Sequence, residues 1–264
     1  MKYLYSILIL TFLFSCKEKI DSPIDAKNEN LLVVDALITN EYIQHEVQLS
    51  KTVNELNGVP EKVSGATITI TDGDSIYVFV EDSSELGTYI SSPFSAVIGK
   101  YYFLSIDYEG NNYAAEAYMI PVTHFSYIPY SQNDNDSYYI NDNFSSMEDA
   151  MWEISLDWSH IIDDSLNTMN KALLYYYTLH TIDIAQIFAP KTETVYFPSG
   201  TIITQKKHSL SPEYAAFFRT LLSETEWSGG YLDVMPANLS TNLSNGAIGF
   251  FAACTVIEST VIVK

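Results

Sequence analysis

Five histidines, His45, His124, His160, His180 and His208, are the first residues to weigh for metal or proton chemistry. They are isolated from one another in sequence, and no His-Glu-x-x-His zinc motif is present. His45 and His180 fall in strand-like runs, where a satisfied structural histidine is the expected reading. The richest oxygen cluster is Asn133-Asp134-Asn135-Asp136 with Asn141-Asp142-Asn143. Calcium wants six to eight oxygen ligands, and the EF-hand spacing fails here for want of the glycine and the closing glutamate. A solvated loop is favoured over a weak calcium site. Glu148-Asp149 and Asp163-Asp164 are neighbouring carboxylates. Glycosidase chemistry needs two carboxyls held about 5–9.5 Å apart across a cleft, and acid pairs are common in a chain with 33 acidic residues. No Gly-x-Ser-x-Gly elbow and no Gly-rich phosphate loop occurs. The residues define no catalytic set, no cofactor site and no metal site, so the expectation is a protein without enzymatic activity.

The one spacing that specifies chemistry is Leu13-Phe14-Ser15-Cys16. It ends the apolar run Leu4 to Phe14, which follows the charged Lys2. A charged start, a short apolar core and a small residue before the cut describe a secretory signal peptide. The Leu-x-Ser-Cys ending resembles a lipobox, where Leu13, Phe14 and Ser15 are read by the lipoprotein signal peptidase. Cys16 then begins the mature chain with a thioether diacylglycerol and an acylated amine. One acyl chain anchors marginally and two suffice, at about 0.8 kcal/mol per buried methylene. The apolar run is shorter than the ~20 residues a spanning helix needs.

Composition narrows the partners. The formal charge is −20 over 264 residues. By count, residues 31–122 carry 13 acidic and 3 basic groups and residues 123–264 carry 16 and 6, so both parts net −10. A uniformly acidic surface repels phosphate backbones, which excludes nucleic acid as an expected partner. With Cys16 lipidated, Cys254 has no partner for a disulfide. It sits in the apolar run Phe250 to Cys254 and reads as a small buried hydrophobe.

The elements that must position any site are mostly strands. Residues 16–30 are polar and aperiodic, a flexible tether. From Leu31 short alternating runs follow at regular spacing: Leu31–Ile38, Ile43–Leu49, Ala66–Ile70, Ile76–Val80, Leu86–Ile90, Tyr101–Tyr108 and Tyr113–Tyr118. Asp72-Gly73-Asp74 and Glu109-Gly110-Asn111-Asn112 mark hairpins. Ile120-Pro121-Val122 closes the unit, since proline ends a ladder strand. The spacing predicts an immunoglobulin-like or prealbumin-like β-sandwich over 31–122.

Residues 123–264 predict a separate β-rich module. Phe125–Tyr130, Met151–Trp158, Ala172–Ile182, Val195–Phe197, Ile202–Lys206, Gly246–Phe251 and Thr255–Val263 read as strands, and Ser131–Asp149 as an acidic loop. One amphipathic helix is expected from Pro212 to about Glu224. Ser211 is its N-cap, and Tyr214, Phe217, Phe218, Leu221 and Leu222 form its apolar face. With 20 Tyr, 13 Phe and 3 Trp the chain has aromatics to spare for an interface or for sugar rings. Residues 123–264 hold all three Trp and the run Tyr175-Tyr176-Tyr177, which places the expected contact there.

Together these segments resemble a lipoprotein family of Bacteroidota known as domain of unknown function 4249. The N-terminal likeness runs through Leu32-Val33-Val34-Asp35-Ala36-Leu37-Ile38-Thr39-Asn40, Val63 to Asp72, Gly87-Thr88-Tyr89 and Tyr102…Asn112-Tyr113-Ala114-Ala115-Glu116. The C-terminal likeness runs through Leu210-Ser211-Pro212-Glu213-Tyr214, Pro236 to Asn242 and Asn245-Gly246-Ala247-Ile248-Gly249-Phe250-Phe251. The resemblance implies an outer-membrane lipoprotein that accompanies a TonB-dependent receptor, and it implies no catalytic residues. Lys17-Glu18 partly resembles the charged signal that sends such lipoproteins to the cell surface, but Lys19 interrupts it, so periplasmic and surface faces both stay open. The alternative is a surface ligand- or glycan-binding lipoprotein acting alone.

Overall fold

The computed structural model describes residues 30–53, 58–141, 144, 147–161, 170–180, 184–187, 189–190, 193–227 and 239–264. Residues 13–16, the tether to residue 29, Asp142, Asn143, Asp163, Asp164, Gly229 and Gly230 lie outside them.

Seven strands form in the first part of the chain, β1 (Leu32–Thr39), β2 (Glu46–Lys51), β3 (Thr67–Thr71), β4 (Ile76–Glu81), β5 (Thr88–Ser91), β6 (Tyr101–Tyr108) and β7 (Asn111–Tyr118). Their alternation sends one set of side chains into a common core, including Val34, Ile38, Leu49, Ile68, Ile70, Tyr102, Leu104 and Ile106. The turns follow their local chemistry. Asp72 Oδ1 accepts from the amides of Asp74 and Ser75 while Gly73 takes φ +90°. The β6–β7 turn is tighter than the four residues expected. Tyr108 pairs with Asn111, leaving Glu109 and Gly110 alone at φ 50° and 78°, as a two-residue hairpin loop with positive φ requires.

After these come β8 (Tyr130–Gln132), β9 (Tyr138–Ile140), β10 (Ala150–Asp157), β11 (Lys171–Thr178), a helical turn α1 (Ile184–Ile187), β12 (Ile202–Ser209), α2 (Pro212–Glu224), β13 (Ile248–Cys254) and β14 (Val256–Ile262). The molecule is mainly β. Among the described residues three sheets result, with orders β13-β1-β2-β5-β4-β3-β6-β7, β11-β10-β12-β14 and β8-β9.

The strands do not divide at residue 122. β13 runs parallel to β1, pairing Val33 with Ile248 through Thr39 with Cys254, and so joins the first sheet from the far end of the chain. One residue later β14 is in the second sheet, antiparallel to β12. The first sheet also curls on itself. Asn242 Nδ2 donates to Glu116 O at 2.9 Å and to Phe251 O at 2.8 Å, and Ser244 N donates to Ala114 O at 2.8 Å. The segment around Asn242 therefore sews the free edge of β7 to β13, and the eight strands enclose one core as a curled sheet between a sandwich and a barrel.

The helix forms as its sequence dictates. Ser211 sits at φ −60° and ψ 158°, and its hydroxyl accepts from Tyr214 N at 3.2 Å. Tyr214, Phe218 and Leu222 are buried, and Phe217 and Leu221 are partly buried against the same cluster. That face packs on Phe250, Ala252 and Cys254 of β13.

Three expectations differ. Ser131–Asp149 is not all loop, because the β8–β9 hairpin lies within it. Asn133 Oδ1 accepts from the amides of Asn135 and Ser137, and Asp136 adopts φ 57°. The Asn/Asp run is turn chemistry. Phe125–Tyr130 is not a strand before Tyr130; Phe125 and Ile128 instead cover the second sheet. Val195–Phe197 makes an isolated bridge, Phe197 to Tyr138.

Candidate functional site

β12 carries the unusual residues. Ile203, Gln205 and Lys207 alternate onto one face of the second sheet. Across the ladder Ile203 meets Leu156, Gln205 meets Ile154 and Lys207 meets Trp152. Leu156, Ile154 and Trp152 are buried core residues, so a carboxamide and an ammonium stand where the pattern calls for hydrophobes. Both are buried, Gln205 at 0% and Lys207 at 2% exposure.

Lys207 is fully engaged. Its Nζ donates to Thr123 O at 3.1 Å, to Thr123 Oγ1 at 3.0 Å and to the Glu148 carboxylate, and lies 4.9 Å from the Trp152 ring centroid. Burial drives the Glu148 carboxyl upward, but the bonds from Lys207 and Thr123 outweigh it and hold the group below its ordinary range. Gln205 is the opposite case. Neither Nε2 nor Oε1 has a hydrogen-bond partner among the described residues.

Both side chains line a cavity of ≈ 440 Å³ between the second sheet and residues 123–129, 144, 147 and 148. Phe125 and Phe144 wall it, each packed on Trp152 with ring centroids 5.7 and 4.9 Å apart. Cavities of this size, mostly apolar with a few convergent polar groups, are the ordinary form of a small-ligand site.

A second polar cleft lies between the sheets. His208 is 5% exposed and neither ring nitrogen has a hydrogen bond among the described residues. Its Nε2 stands 3.8 Å from Glu153 Oε2. Burial pushes the imidazole pKa down to about 4, despite the pull of Glu41. Asp35, Glu41, Glu46 and Lys206 line the same cleft. Burial first, and Glu46 second, raise the Asp35 pKa.

The residues singled out from sequence are dispersed. His45 Nε2 pairs with Phe94 O at 3.0 Å and His160 Nε2 with Gly200 O at 3.1 Å. His180 Nδ1 lies 2.9 Å from Asp149. Glu148 and Asp149 therefore serve different partners and do not face one another across a cleft. Among the described residues no group of three His, Cys, Asp or Glu could hold a metal ion. Cys254 is buried, and burial pushes its thiol up to about 12. Leu13, Phe14, Ser15 and Cys16, the expected lipidation signal, lie outside the described residues. Gln205 and Lys207 were missed. Their signal was the alternation Ile203-Gln205-Lys207, polar residues at two successive positions of one strand face.

The fold defines a mainly β protein whose eight-stranded curled sheet and four-stranded sheet share the run from β13 into β14. Residues 17–260 match the family described as domain of unknown function (DUF4249), and the chain belongs to it. No curated protein matches the chain.

Proposed function

We propose that this protein is a non-enzymatic binding protein of the cell envelope, held at the outer membrane by acylated Cys16 and working as an accessory of a TonB-dependent receptor. The observation that supports a macromolecular partner is the outer face of the first sheet. Ile76, Val78 and Val80 of β4 are 73, 55 and 67% exposed. Thr71 links Ile76 to Phe103 across the ladder, and Phe103, Tyr101 and Tyr118 continue the strip, with Tyr101 and Tyr118 centroids 4.7 Å apart. On a chain of charge −20, an exposed apolar row on β4 joined through Thr71 to an aromatic group on β6 and β7 has the composition of an interface core. This moves the contact from where the sequence put it. Trp152, Trp158 and Trp227 are 2, 3 and 6% exposed, so no tryptophan is available for a contact, and of the Tyr175–Tyr177 run Tyr175 alone is exposed.

The full chain, extracted from native membranes in mild detergent, is expected to bring the receptor with it. Val78→Glu with Phe103→Glu is expected to release the receptor without lowering Tm. Cys16→Ala is expected to stop incorporation of labelled fatty acid. Retention of the receptor by the double variant sinks the interface, and labelling of Cys16→Ala sinks the anchor. The second reading, a ligand-binding lipoprotein acting alone, draws on the cavity at Gln205.

A further inference from the structure

We infer that the cavity between the second sheet and residues 123–129, 144, 147 and 148 binds a neutral sugar residue, with the Gln205 carboxamide as the group that recognises it. The inference rests on the ligand-binding reading and is independent of the receptor.

Buried carboxamides nearly always have hydrogen-bond partners. Gln205 is fully buried, with donor and acceptor both unmatched among the described residues. Both amide atoms are covered, so the side chain must turn into the cavity to meet a ligand that offers an acceptor and a donor side by side. The space beside it is ≈ 440 Å³, many times the roughly 30 Å³ share of one water and within the range of about 300–1,000 Å³ for small-ligand pockets.

Charge then selects the class. The Lys207 ammonium is already neutralised by Glu148 and bonded to Thr123, so the floor offers no free cation for an anionic ligand. The −20 charge of the chain opposes an anion further. A cation finds no free carboxylate among the described lining residues, since Glu148 is already paired with Lys207, and the Trp152 face is already taken by the Lys207 ammonium. A neutral ligand remains. Neighbouring hydroxyls of a sugar ring each donate and accept, and two of them match the two ends of a carboxamide. The ring's C–H faces suit the walls formed by Phe125 and Phe144.

The test is isothermal titration of the full chain in a detergent without a sugar headgroup. The probes are glucose, galactose, mannose, xylose and N-acetylglucosamine, with glucuronate and acetamide as charged and amide controls. At least one neutral sugar is expected to bind saturably at millimolar concentration, ahead of both controls. Gln205→Leu is expected to weaken that binding tenfold or more while raising Tm, because it removes a buried unmatched amide. Should that variant not fold, Phe144→Ala is expected to weaken the same sugar by a similar factor with the fold intact. Absence of any sugar binding, preference for glucuronate or acetamide, or unchanged affinity in the variant overturns the inference. A chain that captures the receptor but binds no sugar overturns it while leaving the accessory reading in place.

Discussion

Asn40 grips Val256 by both ends of its carboxamide: Nδ2 donates to Val256 O at 3.2 Å, and Oδ1 accepts from Val256 N at 2.6 Å. Asn40 follows the last residue of β1 in the first sheet, and Val256 opens β14 in the second. The side chain thus replaces a strand residue where the β1–β13 ladder ends. Ser209 and Thr255 reinforce the junction, with Thr255 N donating to Ser209 Oγ at 2.8 Å and Ser209 N to Thr255 O at 2.9 Å. Asn242 repeats the device at Phe251, where the first sheet closes. Asn40→Ala leaves the amide and carbonyl of the buried Val256 short of their partners. A loss of about 1–3 kcal/mol is expected, read as a lower urea midpoint with unchanged slope. An unmoved midpoint would show that Asn40 contributes nothing to the junction.

The parallel pairing of β1 with β13 depends on Gly249. It sits at φ +96°, and a Cβ there would lie 2.0 Å from Val34 O. Gly249→Ala is expected to cost about 3 kcal/mol or more, since backbone on both sides must move, a fall in Tm of roughly 6–12 °C for a chain of this size. Gly73 is the control. Its φ is +90° but nothing lies within 4 Å of its Cβ position, so Gly73→Ala carries only the strain of positive φ, about 1 kcal/mol. Equal losses in the two variants would refute the close approach of β13 to β1.

What could be read from sequence was local. Ser211-Pro212-Glu213 and the Tyr214/Phe218/Leu222 spacing set helix α2 without help from the rest of the chain. Asp72-Gly73 and Glu109-Gly110 set their turns likewise. The arrival of β13 beside β1 was not legible, because a parallel partner some two hundred residues away leaves no periodic trace in either strand. The Asn133–Asp136 stretch was read for its polarity, while its role comes from one side chain, Asn133, capping two backbone amides. The cavity needed the third dimension too. Gln205 and Lys207 look like ordinary polar strand residues until Ile154 and Trp152 are found opposite them.

His208 makes stability depend on acidity. Its folded pKa, pushed by burial to about 4, lies below the unfolded value near 6.5. The unfolded chain therefore binds the proton more readily. The stabilising effect of a neutral His208 is fully present above about pH 6.5 and is lost as pH falls from there through about 4, for a total of about 2–4 kcal/mol. His45, lowered mainly by burial, acts in the same sense, and Asp35, raised by burial and by Glu46, in the opposite one. Comparison with His208→Gln isolates the His208 part. The variant should lose less stability than the wild type between neutral and acid pH, and parallel curves would exclude titration of His208 as the cause.

Lys207 and Glu148 test whether the cavity floor is a coupled pair. The two partners are unequally buried, with side-chain exposures of 2% and 24%. Removing the carboxylate strands a buried ammonium against Trp152, so Glu148→Gln is expected to cost about 3–5 kcal/mol. Removing the ammonium leaves a carboxylate that water can still reach and that Thr123 still bonds, so Lys207→Met is expected to cost less, about 1–3 kcal/mol after allowance for that exposure. With both changes neither charge is stranded, and most of the loss should return, as coupling in a double-mutant cycle. The acid limb gives a second check. The Glu148 pKa is held low by Lys207 and Thr123 against the effect of burial, so the pair's contribution is present above the unfolded carboxyl pKa of about 4.3 and fades as pH falls through the lower folded value. Additive losses in the cycle, or Lys207→Met more damaging than Glu148→Gln, would mean that Lys207 acts through its packing on Trp152 and not through its charge.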